Sequence, residues 1–343
     1  MKPADSEAVL AAAEQELAAG EDPSASFKSV QDASTRGASA WLRATVGLAV
    51  AASRAARVDA RALRKAVDDA VSVAASGPPD VKEVAVRALH VVADLHADAG
   101  DDDAAASSLA RAQELSGSGL LGASSAHRLG ALCTKRGQFD DAERHYDIAL
   151  DLVSEAQGES DPAIGALLDD LASVYARAGR HEDAEAALAE AALQLARATP
   201  ADSALHAQVL LRLGTMKLSG RATQALLHFH EAYALLVRLL GDQHPLVAIA
   251  LEKIAAGHLV AGELGPAHAF AARALRVAQN AEAPSARVAA AALTTLAAIA
   301  FARNDRSEAI DLAARALATV GTAIGATDEE RAALMANLAR YRA

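Results

Sequence analysis

Histidine is the residue type in this sequence best suited to metal binding and to acid–base catalysis, and it occurs eleven times. His228 and His230 lie two residues apart in a helical pattern, so their side chains point to different sides of the helix. No pair of thiols or carboxylates has the spacing that would complete a metal site with them. The segment HEAYA, which begins at His230, lacks the second histidine of the zinc-protease motif because Ala234 stands there. The sequence therefore predicts no metal site.

Two other segments have the residue types of an active site but not the surroundings that it needs. GSGLLG, at residues 117–122, has the glycine spacing of a dinucleotide-binding loop. That loop follows a strand, whereas here a predicted helix precedes the glycines, so we interpret the segment as a linker. Asp169 and Asp170 are adjacent in a predicted helix and diverge, so they cannot act as a cooperating pair. We expect no catalytic residue, no cofactor and no enzymatic activity.

The composition indicates closely packed helices. Hydrophobic residues make up 52% of the 343 residues and aromatic residues only 3%, and alanine is the most frequent type. Alanine has the highest helix propensity, whereas strands favour β-branched and aromatic side chains. The formal charge of −11 argues against general attraction to nucleic acid or to anionic membranes.

Several features predict a soluble protein of the cytoplasm. The single cysteine, Cys133, excludes an internal disulfide and fits a reducing compartment. The N-terminal residues carry acids where a signal peptide needs an apolar core, and the apolar run ATVGLAVAA is too short to span a bilayer. Arginine outnumbers lysine, and together with the alanine excess this indicates a GC-rich bacterial genome.

Small residues recur in three sets that define six repeat units, each a predicted pair of helices. The first set has steps of 37, 42, 42, 41 and 42 residues. Its members are Ala93, Gly130, Ala172, Gly214, Ala255 and Ala297. The second set follows twelve residues later (eleven in one unit) at Ala105, Ala142, Ala184, Ala225, Ala267 and Ala309. The third set follows seven residues later at Ala112, Ala149, Ala191, Ala232, Ala274 and Ala316.

Contact distance explains why these positions are small. Two antiparallel helices joined by a short turn can approach closely only where the crossing point lacks bulk. One pair cannot bury its own apolar face, so neighbouring pairs must stack into a solenoid. Cys133 takes the repeat position of Tyr175, which is a core position, and is therefore predicted to be a buried thiol.

The turn inside each pair carries a residue that tolerates a left-handed backbone. Five of the six turns have glycine, and Asn304 replaces it in the last. The glycines are Gly100, Gly137, Gly179, Gly220 and Gly262.

The repeats divide the chain into four parts. Residues 1–34 are predicted to form one helix, at about 5–19, and a polar loop. Residues 35–77 form a degenerate first repeat, and residues 78–326 hold the six repeats. At residues 327–343, Thr327 and Glu330 form a capping box that begins a C-terminal capping helix.

Two segments resemble the tetratricopeptide repeat in its 42-residue form, the form of kinesin light chain. They are DPAIGALLDDLASVYARAGRHEDAEAALAEAAL, from Asp161, and HPLVAIALEKIAAGHLVAGELGPAHAFAARAL, from His244. The resemblance covers about residues 80 to 340. It implies an all-α, right-handed superhelical solenoid of antiparallel helix pairs. It also implies that a partner peptide lies in a concave groove lined by the first helices.

The sequence departs from the family at the position that often contacts the ligand backbone. The family has asparagine two residues after the first leucine, whereas only the final helix keeps it here, as Asn337. The repeats have other residues there, namely Arg128, Asp170, Arg212, Lys253 and Thr295. A ligand preference like that of kinesin light chain is therefore not expected.

The exposed positions of the first helices are predicted to line the groove. They are His127, Arg128, Lys135, Asp170, Arg177, Arg212, Lys253, Leu259, Val260 and Phe301. The mainly basic middle predicts an acidic partner segment, since guanidinium groups pair with carboxylates, and the apolar end would take a hydrophobic anchor. In the alternative interpretation, these charges form a solvated face that balances neighbouring Asp and Glu.

A non-enzymatic adaptor or scaffold that binds a segment of another protein is the function these features predict. Two alternatives are a peptide-sensing regulator and a regulatory subunit of a separately encoded enzyme. A third is a self-assembling or cytoskeleton-associated structural protein, whose copies would dock through Trp41 or the N-terminal helix.

Overall fold

The structure, a computed structural model, describes residues 3–19, 21–22, 24–34, 39–54, 68, 71–72, 77–197, 203–281, 285–321 and 327–343. Within these ranges the chain has sixteen delimited helices and no strand. They are α1 (Pro3–Ala18), α2 (Ser24–Ala33), α3 (Ser39–Arg54), α4 (Pro79–Asp98), α5 (Asp102–Ser116), α6 (Leu120–Lys135), α7 (Phe139–Gln157), α8 (Pro162–Arg177), α9 (His181–Arg197), α10 (Ala204–Lys217), α11 (Ala222–Leu240), α12 (Pro245–Val260), α13 (Leu264–Asn280), α14 (Ala286–Ala302), α15 (Arg306–Gly321) and α16 (Asp328–Arg342).

The chain divides into two compact units. The first, Met1–Ala178, contains α1 to α8, and the second, Gly179–Ala343, contains α9 to α16. In the first unit α4 packs on α5 and α6 on α7, and in the second α10 packs on α11, α12 on α13 and α14 on α15. Each unit is thus built from stacked helix pairs, and the predicted all-α solenoid architecture of the tetratricopeptide type is confirmed.

The three sets of small residues lie in the core, as predicted. Every alanine in them is at most 2% exposed, and Gly130 and Gly214 are buried. On α7, for example, Ala142, Tyr146, Ala149 and Val153 recur every three or four residues and form one buried face. Within each unit, helices therefore touch where side chains are smallest.

Where the first small residue is glycine, the partner helix carries an aromatic ring. A Cβ atom added to Gly214 would lie 2.5 Å from Cε1 of Phe229, and one added to Gly130 would lie 2.9 Å from Cδ2 of Tyr146. In the repeat that precedes the one with Gly130, the same two positions hold Ala93 and Leu109, which lie in one buried cluster. The two positions therefore share one volume, and a larger residue at one requires a smaller residue at the other.

The predicted left-handed backbone conformation is present at the turn of every repeat but one. Gly100, Gly137, Gly179 and Gly262 have φ between 75° and 79°, and Asn304 has φ of 66°. The prediction is wrong for Gly220, which is not among the glycines with positive φ. In this repeat unit the two small residues are one position closer, but α10 ends at Lys217, only three residues after Gly214, so four residues join it to α11 where three join the helices of each other pair. A hydrogen bond from Arg221 N–H to Lys217 O closes this turn.

The N-terminal segment differs from its prediction. A first helix is present as α1, but the predicted polar loop contains a second helix, α2. This helix buries Phe27 and Val30, three residues apart, against Leu10 of α1 and Ala44 of α3. Two isolated apolar residues in a polar sequence are thus enough to fix a short helix, because both lie on the face that packs on its neighbours.

Helix α3 takes the place of the first helix of the degenerate repeat, whereas the segment predicted to form its second helix lies mostly outside the described residues. At the C-terminal end the predicted capping box is confirmed. Thr327 Oγ1 accepts a hydrogen bond from Glu330 N–H, and the Glu330 carboxylate accepts one from Thr327 N–H. The helix that it begins, α16, packs on α15. Of the helices in the described ranges, none has both the length and the apolarity to cross a membrane.

The shared volume of Gly214 and Phe229 gives a stability prediction. Gly214→Ala should lower the free energy of unfolding by about 1–3 kcal/mol, because the added methyl group would overlap the fully buried Phe229 ring and force it to shift. Replacing the ring as well, in Gly214→Ala/Phe229→Leu, should recover most of that loss. Urea unfolding followed by circular dichroism measures all three proteins.

Gly265→Ala is the matched control for this prediction. Gly265 lies in α13 with nothing within 4 Å of an added Cβ, so alanine should stabilise the helix by about 0.5–1 kcal/mol. A Gly214→Ala protein as stable as the Gly265→Ala protein would contradict the shared-volume explanation.

Candidate functional site

The first helices of the N-terminal unit, α4, α6 and α8, are joined by ion pairs and hydrogen bonds across their exposed sides. We call these exposed side chains the first-helix face. Arg128 of α6 pairs with Asp94 of α4. On the other side of α6, His127 Nε2 lies 2.8 Å from Asp170 Oδ2 of α8. On this face, aspartates of the two outer helices thus flank an arginine and a histidine of the central helix.

Two further residues predicted for the groove lie where first helices end. Lys135, at the end of α6, pairs with Asp102 at the start of α5, with 2.8 Å between Nζ and Oδ1. Arg177, at the end of α8, is exposed and its guanidinium carbon lies 5.6 Å from the centre of the Phe139 ring. Arg128 and Lys135 are thus each balanced by a neighbouring aspartate. This is the arrangement that a solvated, charge-balanced face would have when no partner is bound.

A cavity of about 690 Å³ opens on the first-helix face between α4 and α6. We call it the α4–α6 cavity. Arg87, His90 and Val91 line it from α4, and Leu120, Ser124 and Arg128 line it from α6. Leu120 is 47% exposed although it is a large apolar residue. The cavity therefore combines two arginines with accessible apolar surface, a combination typical of binding sites.

His90 forms the buried wall of this cavity. It is 6% exposed, and its Nε2 lies 2.7 Å from Oγ of the fully buried Ser125. The Ser125 hydroxyl donates to the carbonyl of Leu121, so we assign the proton of the shared bond to His90 Nε2. Burial lowers the pKa of His90 to about 4, and the charges of Arg128 and Arg87 add to the effect. The pair therefore locks α4 to α6 as neutral groups, and Ser125 is too deeply buried to attack a substrate.

The remaining predicted groove residues lie in the C-terminal unit. Arg212 is half-buried on α10, and Lys253 of α12 lies 3.5 Å from Glu252. Glu252 in turn accepts a buried hydrogen bond from Thr295 of α14. Val260, at the end of α12, is 56% exposed.

The three other residues of this set lie toward the C-terminal helix. Leu259 and Phe301 are half-buried against the core that they share with α16. Tyr341 lies 4.9 Å from the Phe301 ring and the Arg340 guanidinium lies 5.4 Å from it. Asn337 is half-buried on the same helix. Helix α16 therefore covers part of the apolar surface predicted as a hydrophobic anchor site.

Sequence reasoning missed Arg87, His90 and Ser125. One signal was available, because His90 and His127 each lie three residues before the small residue of their repeat. Equivalent histidines in two successive units indicate a shared position on the face. No such sequence signal marks Arg87, because Arg87 lines a cavity that exists only once the helices have packed.

The described residues contain no group of three or more His, Cys, Asp or Glu side chains that could hold a metal ion. Cys133 is half-buried rather than buried as predicted, because it lies at the edge of the cluster around Tyr146. Burial raises its pKa, so it is a thiol at neutral pH. The predicted linker is confirmed at residues 117–119, between α5 and α6, whereas Gly122 belongs to α6.

Residues 123–198 match the family model of the tetratricopeptide repeat. The resemblance predicted from the sequence is therefore confirmed, and the matched segment contains the first-helix residues of α6 and α8. No curated protein matches the sequence of the chain.

Several solved structures are similar to this one. BtubC (BKLC) from P. vanneervenii is 23% identical with a TM-score of 0.55, over 64% of this chain and 91% of that one. A STAND signal-transduction ATPase with a tetratricopeptide repeat sensor, from Pyrococcus horikoshii, is 15% identical with a TM-score of 0.61. That match covers 92% of this chain and 46% of the ATPase. Identities this low show a shared fold alone.

A third solved structure has the repeats of a putative kinesin light chain from Podosopora anserina. It is 16% identical with a TM-score of 0.49, over 57% of this chain and 94% of that one.

The buried His90 predicts a pH dependence of stability. Its pKa is about 4 in the folded chain and near 6.5 when unfolded, so the unfolded state binds more protons between these values. The free energy of unfolding should therefore fall as the pH drops from 6.5 to about 4, by up to about 3 kcal/mol from this residue. Urea unfolding at a series of pH values measures it.

His90→Gln is the comparison for this experiment, since glutamine can still donate to Ser125 but does not titrate. Its stability should depend less on pH over the same range. Identical pH profiles for the two proteins would show that His90 is not held neutral by its surroundings.

Proposed function

We propose that the chain is a non-enzymatic protein-binding scaffold, or adaptor, that recognises a segment of a partner protein on its first helices. The observation that carries this proposal is the α4–α6 cavity, which brings Arg87 and Arg128 together beside the exposed Leu120. The tetratricopeptide-like fold supports it, because stacked helix pairs of this kind present extended surfaces to other proteins.

The partner segment is proposed to be acidic. Arg128 already pairs with a carboxylate, Asp94, but the two side chains are 37% and 57% exposed, and such surface pairs contribute only about 0–1 kcal/mol. A carboxylate of the partner can therefore take the place of Asp94 at little cost. Arg87 is in the same situation, since its partner Glu83 lies one helical turn away on the exposed side of α4.

The other predicted groove residues contribute differently to the proposal. His127 and Asp170 bridge α6 to α8 and hold the face in shape. Lys135 and Arg177 add cationic side chains at the ends of the first helices. Residues Arg212, Lys253, Leu259, Val260, Phe301 and Asn337 are proposed as contacts made by the C-terminal unit.

We further propose that the protein works in the cytoplasm, since a single half-buried thiol suits a reducing compartment. Neither nucleic acid nor a membrane surface is proposed as a partner, because the chain carries a formal charge of −11.

Quantitative affinity purification tests the proposed function. Immobilised wild-type protein and the Arg87→Ala/Arg128→Ala variant are incubated with the same cell extract, and retained proteins are compared by mass spectrometry. A partner that uses the face should be retained at least about tenfold less by the variant, since one lost hydrogen bond to a charged group costs about 1.5–3 kcal/mol and about 1.4 kcal/mol is a factor of ten.

Arg136→Ala/Arg144→Ala is the control, because it removes the same charge outside the α4–α6 cavity. Both arginines pair with aspartates, Arg136 with Asp103 and Arg144 with Asp141. Partners that both variants retain as well as the wild type would contradict the proposal, provided that circular dichroism shows both variants to be folded.

A further inference from the structure

Helix α16 continues the spacing of the first helices, but it exposes residues that a first helix buries. Three of its residues lie 42 positions after residues of α14, namely Ala332 after Ala290, Met335 after Leu293 and Ala339 after Ala297. On α14 these residues are at most 2% exposed, and α15 packs on that helix. On α16 all three are exposed, Met335 to 53%. We call these three residues, with the exposed Ala336 between them, the outer face of α16.

The same three positions are covered throughout the repeats. Counted from the first small residue of each repeat, the positions of Ala332 and Ala339 hold a buried residue in all six. The position of Met335 is buried in five of them, and Leu168 in the other is half-buried. Exposure at these positions is therefore a property of α16 and not of the repeat.

The outer face lies opposite the side by which α16 is attached to its unit. Leu334, Leu338 and Tyr341 pack into the core shared with α14 and α15. The residues of the outer face recur every three or four positions between them, so they form one stripe on the other side of the helix. Arg287 of α14 holds the start of α16 through Glu330, with 3.1 Å between Nε and Oε1. The outer face is thus presented by a helix that is fixed on a folded unit.

An apolar outer face is unusual on the last helix of such a unit. Terminal helices keep stacked helix pairs soluble because they turn polar side chains outward. On α16 the middle of the outward side is apolar, and charged residues lie toward its two ends. Asp328 and Glu329 lie at the start of the helix, and Arg340 and Arg342 lie at its end. The middle is therefore surface that a second helix can cover.

The order of these charges shows which helix fits. A second α16 in antiparallel orientation, centred between Met335 and Ala336, would place Asp328 and Glu329 of each copy beside the arginines at the end of the other. A parallel orientation would place like charges together. The helix has three acidic and three basic residues, so its net charge is zero (three minus three). The whole chain carries −11, so α16 is a place where two copies approach with little repulsion.

We propose that two copies of the chain associate through α16, with the two helices packed antiparallel about a two-fold axis. The pair repeats between two molecules the arrangement of α14 and α15 within one, in which small side chains bring two helices close. One helix of 15 residues from each copy is a small interface, so the dimer is weak and depends on protein concentration. This surface differs from the first-helix face, and the inference does not depend on the proposed function.

Analytical ultracentrifugation of the full chain tests the inference. The mean mass should rise with protein concentration from 35.1 kDa toward twice that value. Ala336→Glu sets two like charges against each other near the two-fold axis and should weaken the dimer by at least about tenfold. Ala272→Glu adds the same charge at an exposed alanine of α13 and should leave the dimer unchanged.

An exchange of charges tests the antiparallel orientation. Asp328→Arg and Arg342→Glu each place like charges at both ends of the contact, so each variant alone should dimerise about fivefold more weakly than the wild type. An equimolar mixture restores opposite charges at both ends. Its mean mass should therefore exceed that of either variant at the same total concentration.

Four results would overturn the inference, with circular dichroism showing that every variant is folded. The first is a wild-type mass that stays at 35.1 kDa up to about 100 μM protein. The second is a dimer that persists in Ala336→Glu, which would lie on another surface. The third is a mass that grows beyond that of two chains, because a two-fold contact closes at the dimer. The fourth is a mixture of the charge variants no heavier than its components.

Discussion

The distance between packed helices is the constraint on which the rest of this structure depends. That distance is set by alanines and glycines that recur about every 42 residues and that are almost completely buried. Because two helices share one limited volume, changes at these positions must compensate each other, as at Gly214 and Phe229. A helix pair that keeps this distance presents its outward side chains at constant geometry, whatever those side chains are. The surface can therefore diverge while the scaffold does not.

The first-helix face shows how such a surface stays folded without a partner. Asp94, Arg128, His127 and Asp170 bridge three successive helices, so the charges of the unbound face are satisfied within the unit. Exposed pairs of this kind add little stability, and exchanging one carboxylate for another changes the total energy only slightly. The interpretation of these residues as a balanced solvated face and their interpretation as a ligand surface are thus compatible. The first describes the free state, and the second describes an exchange that the free state makes inexpensive.

Most of the fold was predictable from the sequence because it depends on local pattern and spacing. The small residues, the Asn304 turn and the Thr327 capping box each have a signature within a few residues. Helix α2 lacked one, since only Phe27 and Val30 mark its buried face. The conformation at Gly220 depends on the earlier end of α10, at Lys217, which lengthens the turn by one residue. For the candidate site, the position of Arg128 in its repeat predicted which helix carries it. The pairing with Asp94 and the cavity were not predictable, because both depend on how adjacent helices are offset along their axes.

The contact between α2 and α3 shows that the same constraint acts outside the repeats. In the repeats, the residues that set helix distance are buried and the first-helix charges are exposed, so one set can change without the other. At Gly47 a Cβ atom would lie 2.4 Å from the fully buried Phe27 ring, so a ring from α2 takes the volume that a side chain on α3 would fill. A larger residue at Gly47 therefore requires a smaller one at Phe27, as at Gly214 and Phe229. Close packing through a glycine and a ring thus fixes a helix that has no repeat pattern of its own.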